Sequence, residues 1–186
     1  MADISVTTPA KSRAAAAIEH SAPASEPCWD LIELLFFAYR DFVGDPDEVL
    51  AKLAFGRAHH RVLHFVNRNP GMKVANLLDV LKITKQSLGR VLKQLIDDGY
   101  IVQREGENDR RQRLLYVTPA GEDLAMQLAG LQTARISGVL AELGVGGREA
   151  ARRFLAGMIN AEDRDQVLRL IGQADRTPPR SRDGAS

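Results

Sequence analysis

Apolar and polar positions along the chain predict six helical stretches and one pair of short strands. Cys28 to Phe42 is apolar almost all round, through Leu31, Ile32, Leu34, Leu35, Phe36, Ala38, Tyr39 and Phe42. Such a helix must be covered on more than one side. Asp45-Pro46-Asp47-Glu48 then reads as a helix start, with Asp at the N-cap, Pro at N1 and Glu at N3. The helix it opens carries Val49, Leu50, Leu53, Phe55, Val62, Leu63, Phe65 and Val66 and ends at Asn69-Pro70-Gly71. Lys73 to Leu81 is a short third helix, joined tightly through Lys82-Ile83 to a fourth. In that fourth helix Leu88, Val91, Leu92, Leu95 and Ile96 recur at helical spacing behind Thr84 as N-cap, and Gly99 supplies the left-handed stop. Ile101–Arg104 and Leu114–Val117 are β-prone segments around the polar loop EGENDRRQR, a two-stranded hairpin. Thr118-Pro119 opens a long helix to about Leu143, Gly144 to Gly147 is a turn, and one last helix runs from Arg148 to about Ile171.

The fourth helix carries the chemistry. Its polar face presents Lys85, Gln86, Ser87, Arg90 and Lys93 with no carboxylate among them. Lys and Arg donate to phosphates, and Arg and Gln also make bidentate contacts to base edges. Arg110, Arg111 and Arg113 on the hairpin tip suit a narrow minor groove, whose negative potential attracts Arg. Either half alone would pass for a solvated helix face or an ordinary charged turn. In this order they describe a winged helix-turn-helix, with helix 84–98 in the major groove and wing 104–113 in the minor groove. The fold class expected is mainly α with a small β-hairpin wing, plus a helical dimerisation region.

Charge distribution sharpens this. The net charge is only +1 over 186 residues. Between Val49 and Ile96, however, Asp79 is the one carboxylate against Lys52, Arg57, Arg61, Arg68, Lys73, Lys82, Lys85, Arg90 and Lys93. A basic middle with acidic ends is the footprint of a localised DNA face. A single cysteine excludes an intramolecular disulfide framework. With no membrane-length apolar run and no signal-peptide core, the cytoplasm is the expected compartment and no membrane partner is expected.

Asp109-Arg110-Arg111, then Leu114, then Val117-Thr118-Pro119-Ala120-Gly121, resembles the wing signature of the MarR family, Asp-x-Arg followed by Leu-Thr-x-x-Gly, including the nine-residue step from Asp109 to Thr118. Val117 replaces the usual Leu. GRAHHRVLHFV and ITKQSLGRVLKQL further resemble the PetP-like branch. The resemblance covers roughly Asp30 to Ile171. It implies a homodimeric transcriptional regulator whose first and last helices intertwine with those of a second copy, with two recognition helices about 34 Å apart on a pseudo-palindromic operator. It places Thr84, Lys85, Gln86, Ser87, Arg90, Lys93, Asp109, Arg110, Arg111 and Arg113 at the DNA, with Asp109 holding the Arg111 guanidinium in the minor groove. It also implies a small-molecule pocket between the dimer and DNA-binding lobes, where Trp29, Phe36, Phe37, Tyr39 and Phe55 are candidate lining, although core packing is the commoner job for such residues. The corresponding organisation is a tail at 1–27, a dimerisation helix at 28–48, the winged helix-turn-helix at 49–119, dimerisation helices at 120–172 and a tail at 173–186.

Two further groups invite a sensing role. Cys28 at a helix start is a candidate redox sensor, since a helix N-terminus lowers a thiol pKa. His60 and His64 lie four apart beside His59, but no Cys, Asp or Glu nearby completes a ligand set, so packing or neutral hydrogen bonding is expected and no metal or cofactor. Enzyme motifs are missing: there is no Gly-rich phosphate loop, nucleophile elbow or His-Glu-x-x-His. The rival from another class is a helical dimeric protein-interaction module without specific DNA binding. Bare cations at Lys85, Arg90 and Arg111 argue against it, because protein interfaces are depleted of such charge at their core.

Overall fold

The structure is a computed structural model that describes residues 26–106, 109 and 111–176. The tails expected at 1–27 and 173–186 therefore fall mostly outside the described residues. The described chain divides into a unit ending at Phe36 and a second running from Phe37. Seven helices and three strands follow in order: α1 (Trp29–Ala51), α2 (Arg57–Arg68), β1 (Met72–Lys73), α3 (Val74–Leu81), α4 (Lys85–Asp97), β2 (Ile101–Glu105), β3 (Arg113–Val117), α5 (Pro119–Leu143), α6 (Gly147–Gly157) and α7 (Ala161–Arg176). The fold is mainly α with a small antiparallel sheet of order β1-β3-β2. Among the described residues no helix is long and apolar enough to cross a membrane.

The first correction concerns Pro46. It does not start a helix; α1 runs through it. Val43, Pro46 and Leu50, at i, i+3 and i+7, are buried on one face, and this burial carries the helix past the local start signal. Asp45 and Asp47 pair with Arg135 (2.8 Å) and Arg57 (2.7 Å) and are not caps. The break comes later. Ala54 sits at φ +56°, the Phe55 N–H reaches the Leu50 carbonyl (2.9 Å), and the Ala54 N–H reaches that of Ala51 (3.1 Å). This is a Schellman end with alanine in the left-handed position. Helix α4 stops in the same way, with Gly99 at φ +77°, Tyr100 bonded to Leu95 (2.8 Å) and Gly99 to Ile96 (3.1 Å).

The sheet has a third strand that the alternation missed. Met72 and Lys73 pair with Leu115 and Leu114, a two-residue bridge too short to show periodicity. The hairpin itself runs from Ile101↔Val117 to Glu105↔Arg113. The last helix is broken in two. After Gly157 the chain turns, and the Arg164 guanidinium donates to the carbonyls of Gly157 and Ile159, both at 2.9 Å. Glu162 and Asp163 then occupy the first turn of α7, an acidic start signal that the apolar series concealed. That helix also continues beyond Ile171 to Arg176, with Ala174 buried and Asp175 paired to Arg68.

The core lies inside the second unit. Leu50, Leu63, Leu77, Leu88, Leu95, Ile101, Leu115 and Leu128 are fully buried, so the end of α1, α2–α4, the hairpin and the start of α5 share one apolar centre. Thr118 caps α5, its hydroxyl accepting from the Gly121 N–H (3.0 Å) and donating to the Gly99 carbonyl (2.7 Å).

A Cβ at Gly121 would lie 2.0 Å from the Tyr100 carbonyl oxygen, whereas one at Gly89 meets nothing within 4 Å. Helix propensity favours Ala over Gly by about 1 kcal/mol, but a clash with backbone outweighs it. Gly121→Ala is expected to destabilise the fold by about 3 kcal/mol. Gly89→Ala is expected to stabilise it by up to about 1 kcal/mol. Denaturant unfolding of the two variants distinguishes these opposite signs.

Candidate nucleic-acid interface

Helix α4 begins as the sequence implies. The Thr84 Oγ1 accepts from the Ser87 N–H (3.1 Å) and donates to the Ser87 hydroxyl (2.9 Å). Burial of Leu88, Val91, Leu92 and Leu95 turns the opposite side outward, and Thr84, Lys85, Gln86, Ser87, Gly89, Arg90 and Lys93 are all exposed. Among the described residues no carboxylate pairs with Lys85 or Arg90. Lys93 differs. Asp97, one turn on, takes its ammonium in an i,i+4 ion pair. The turn before α4 is set by Lys82, in the left-handed region at φ +51°, and by Arg61, which donates to the last carbonyl of α3 at Leu81 (2.9 Å).

The wing supports its arginines unequally. Arg110 lies outside the described residues. The Asp109 carboxylate accepts from the backbone N–H of Arg111 (3.0 Å) and from the Gln112 amide (3.3 Å). It therefore fixes the turn rather than gripping the Arg111 guanidinium, as the resemblance had implied. The exposed Arg111 side chain has no carboxylate partner among the described residues. Arg113 donates to Glu105 across the hairpin (3.0 Å), and Arg104 lies over the Tyr116 ring at 5.0 Å. Arg111 is thus the described tip cation with a free side chain.

The nine cations of the basic middle separate by environment. Arg57, Arg68, Lys82 and Lys93 pair with Asp47, Asp175, Asp163 and Asp97, all from outside that stretch. Lys85 and Arg90 keep uncompensated charge on the exposed face of α4. Among the described residues, carboxylates from the flanks thereby neutralise four of the nine cations and leave Lys52, Arg61 and Lys73 uncompensated beside the two on α4, a distribution that the net charge alone conceals.

The histidines have separate surroundings. His59 Nδ1 accepts from the Gly56 N–H (3.1 Å) and Nε2 meets the Gln94 amide oxygen (2.9 Å). His60 is half-buried and His64 is exposed, yet loss of solvation among their neighbours pushes both imidazoles below their ordinary value of 6.5; for His64 the neighbouring His60 and Arg68 push the same way. Among the described residues no group of three or more His, Cys, Asp or Glu is placed to hold a metal. Cys28 is exposed as a free thiol.

A cavity of about 750 Å³ lies between α2, α3, β1 and α7. Phe65, Met72, Val80, Val167, Leu170 and Ile171 supply apolar lining, and His64, Asn76, Lys82, Asp163 and Arg169 supply polar groups. Trp29, Phe36, Phe37, Tyr39 and Phe55 are not part of it. Phe55 is in the core, and the other four are exposed. Two signals in the sequence went unread: a histidine at the third position of α2, where a side chain reaches back to the N-cap N–H, and the acids of α7 that latch Arg68 and Lys82.

The sequence profile of the MarR family matches residues 55–112. The HTH-type transcriptional regulator PetP of Rhodobacter capsulatus is 44% identical over 129 residues, covering 69% of this chain and 78% of that protein. Two solved structures share the fold at 20% identity. A mutant MarR from E. coli complexed with operator DNA has a TM-score of 0.55 over 70% of this chain and 94% of its own. NadR in complex with 4-hydroxyphenylacetate has a TM-score of 0.60 over 74% and 96%.

The lowered pKa values of His60 and His64 give stability a direction with pH. Because each folded-state pKa lies below the unfolded value, the unfolded chain binds more protons in acid, and stability falls as pH drops through 6.5. Replacing both residues with glutamine is expected to flatten that part of the profile, measured by denaturant unfolding between about pH 7 and 5. An unchanged slope would show that neither histidine is held neutral by the fold.

Proposed function

The chain belongs to the MarR family, and on that premise we propose that it acts as a homodimer reading a pseudo-palindromic operator. As a MarR-family transcriptional regulator it is a DNA-binding protein and not an enzyme. The observation that carries the finer reading is the exposed face of α4, where Lys85, Gln86 and Arg90 stand free of carboxylates beside a wing tipped by Arg111. Gln86 and Arg90 read base edges in the major groove, supported by Thr84, Lys85 and Ser87 at the helix start, where N–H groups favour phosphate. Wing residues 104–113, with Asp109 shaping the turn and Arg110, Arg111 and Arg113 supplying charge, enter the minor groove. Lys93 exchanges Asp97 for a phosphate. The winged helix-turn-helix occupies 49–119, between dimerisation segments at 28–48 and 120–172.

Dimerisation is supported by apolar surface that a monomer leaves wet. In the first unit Trp29 and Phe36 are 64% and 68% exposed. In the second, Phe37, Tyr39, Ile136, Val139, Leu143, Phe154 and Leu155 are all exposed. Exposed large apolar side chains in this number mark an interface, and a second copy is the occupant proposed. A small-molecule effector takes the cavity beneath α7, whose volume falls within the range of ligand pockets. Cys28, exposed, is the group an oxidant would reach.

Selection from a random duplex library tests the DNA reading. Gln86→Ala is expected to change the preferred half-site, at a cost of about 1–3 kcal/mol. Arg111→Ala is expected to weaken many sequences together and to lose an A·T flank preference, because the minor groove distinguishes little else. Lys93→Ala is expected to lower the log–log salt slope by about one unit. An unchanged profile and affinity for Arg111→Ala would remove the wing from the DNA contact.

Light scattering tests the assembly. The full chain is expected to have dimer mass at micromolar concentration, and Phe36→Asp with Leu155→Asp to shift it toward monomer with loss of operator binding. A folded wild-type monomer at that concentration would overturn the proposed dimer.

A further inference from the structure

Gln94 is half-buried, four residues after Arg90 on α4, on the side that faces α2. Its amide oxygen lies 2.9 Å from His59 Nε2, and its amide nitrogen lies 3.5 Å from the Ala54 carbonyl. The His59 tautomer is fixed by its other nitrogen. Nδ1 accepts the Gly56 N–H at 3.1 Å, so the proton of the neutral ring is on Nε2 and is donated to Gln94. The ring plane is held by stacking on Phe55, with centroids 4.8 Å apart and planes 10° from parallel. Phe55 in turn meets Tyr100 edge to face at 5.3 Å. Phe55 and Tyr100 are the residues that close the Schellman ends of α1 and α4. The polar contact joins α2 to α4, and the ring contacts run from α2 through the α1–α2 turn to the end of α4, so α4 is held at two places.

We infer that His59 and Gln94 are a positioning pair that sets how α4 presents Arg90 and Gln86, and so contributes to sequence preference without touching DNA. The inference rests on the reading of α4 as the recognition helix. A half-buried amide held by a hydrogen bond from a ring with a fixed tautomer, and by a longer one to the Ala54 carbonyl, allows α4 few alternative settings. Removing that bond leaves the apolar core under α4 intact through Leu88, Leu92 and Leu95 but frees the helix to shift at its exposed edge. Misplacing Arg90 penalises base contacts, which need geometry, more than phosphate contacts, which tolerate it.

The probe is the duplex that wild-type protein selects from a random library, compared with a scrambled duplex of the same length. His59→Leu and Gln94→Leu are each expected to reduce the ratio of the two affinities about tenfold, within the range of one lost hydrogen bond. Affinity for the scrambled duplex and its salt slope stay near wild type. His59→Leu with Gln94→Leu is expected to be no worse than either alone, because one bond is broken only once. His59→Gln restores the ratio to within about twofold, since its amide accepts from Gly56 and donates to Gln94 as the imidazole does. Wild-type protein supplies a measurement that does not depend on variants: long-range ¹⁵N–¹H correlation is expected to find the His59 proton on Nε2. A lowered melting temperature with an unchanged ratio in the two Leu variants, additive losses in the double variant, or a proton on Nδ1 would each overturn the pair. If wild type itself prefers no sequence, the recognition-helix reading fails and takes the pair with it; if wild type selects and the variants select equally, the pair alone fails.

Discussion

Two consecutive carbonyls, those of Gly99 and Tyr100, hold together α4, the hairpin and α5, the elements proposed to meet DNA among them. The Thr118 hydroxyl donates to the first (2.7 Å) and the Thr118 N–H to the second (3.0 Å). One peptide further back, the Tyr100 N–H closes the end of α4 on Leu95. The stop of the recognition helix, the base of the hairpin and the cap of α5 thus share a few backbone groups, none left unpaired as the chain turns inward. Gly121 completes the arrangement, because its Cα lies so near the Tyr100 carbonyl that no side chain fits. The wing therefore has little freedom to tilt independently of α4. A change in how α5 leaves the domain must move both together.

The second organising effect is charge placed by long-range pairing. A stretch with one carboxylate appears uniformly basic, and a uniform field would bind any polyanion. Asp47, Asp163 and Asp175 come from distant segments to occupy Arg57, Lys82 and Arg68. These pairs are exposed, and exposed pairs add little stability. Their consequence is that Arg57, Arg68 and Lys82 are compensated, while Lys85 and Arg90, where the groove contact is proposed, keep their charge along with Lys52, Arg61 and Lys73. Two of the pairs also tie both ends of α7 to the helix-turn-helix across the cavity. Solvent ions screen exactly such contacts first, so α7 is the element whose seating should respond most readily to its surroundings.

Local rules made α4 and the hairpin legible. Thr84, the apolar series to Leu95, Gly99 and the β-prone flanks each act within a few residues, and each appears in the structure where it was read. The family and fold were legible for the same reason, since the wing signature from Asp109 to Gly121 sits on that short-range framework. What escaped was decided by distant partners. Asp45-Pro46 carries a sound helix-start signal, yet burial of Val43, Pro46 and Leu50 overrides it, as tertiary packing commonly overrides propensity. Met72-Lys73 is a strand only because Leu114 and Leu115 lie alongside. Asn160 to Asp163 contained a start signal, but the apolar positions on either side suggested one continuous helix. Of the five candidate pocket aromatics, Phe55 goes to the core and Trp29, Phe36, Phe37 and Tyr39 stay exposed on α1, whereas the cavity under α7 is lined by residues that several elements bring together.

The three histidines of α2 show the limit of reading neighbours as a group. His60 and His64, one turn apart, face a common side; His59, adjacent to His60, is rotated about 100° from it by the helix. That rotation sends His59 toward α4, where both its nitrogens are engaged, and leaves the other two in surroundings that disfavour charge. Each of the latter makes the other's protonation harder or gains nothing from it: His60 lowers His64, and Arg68 lowers it further. A closed metal site needs neutral imidazoles with additional donors converging on one point, and the helix geometry disperses these three instead. Neutrality here serves packing. An uncharged His64 can sit against the Phe65 ring, edge to face at 5.2 Å, beside the cavity under α7. Charging it there would cost solvation, which is the direction in which its pKa is displaced.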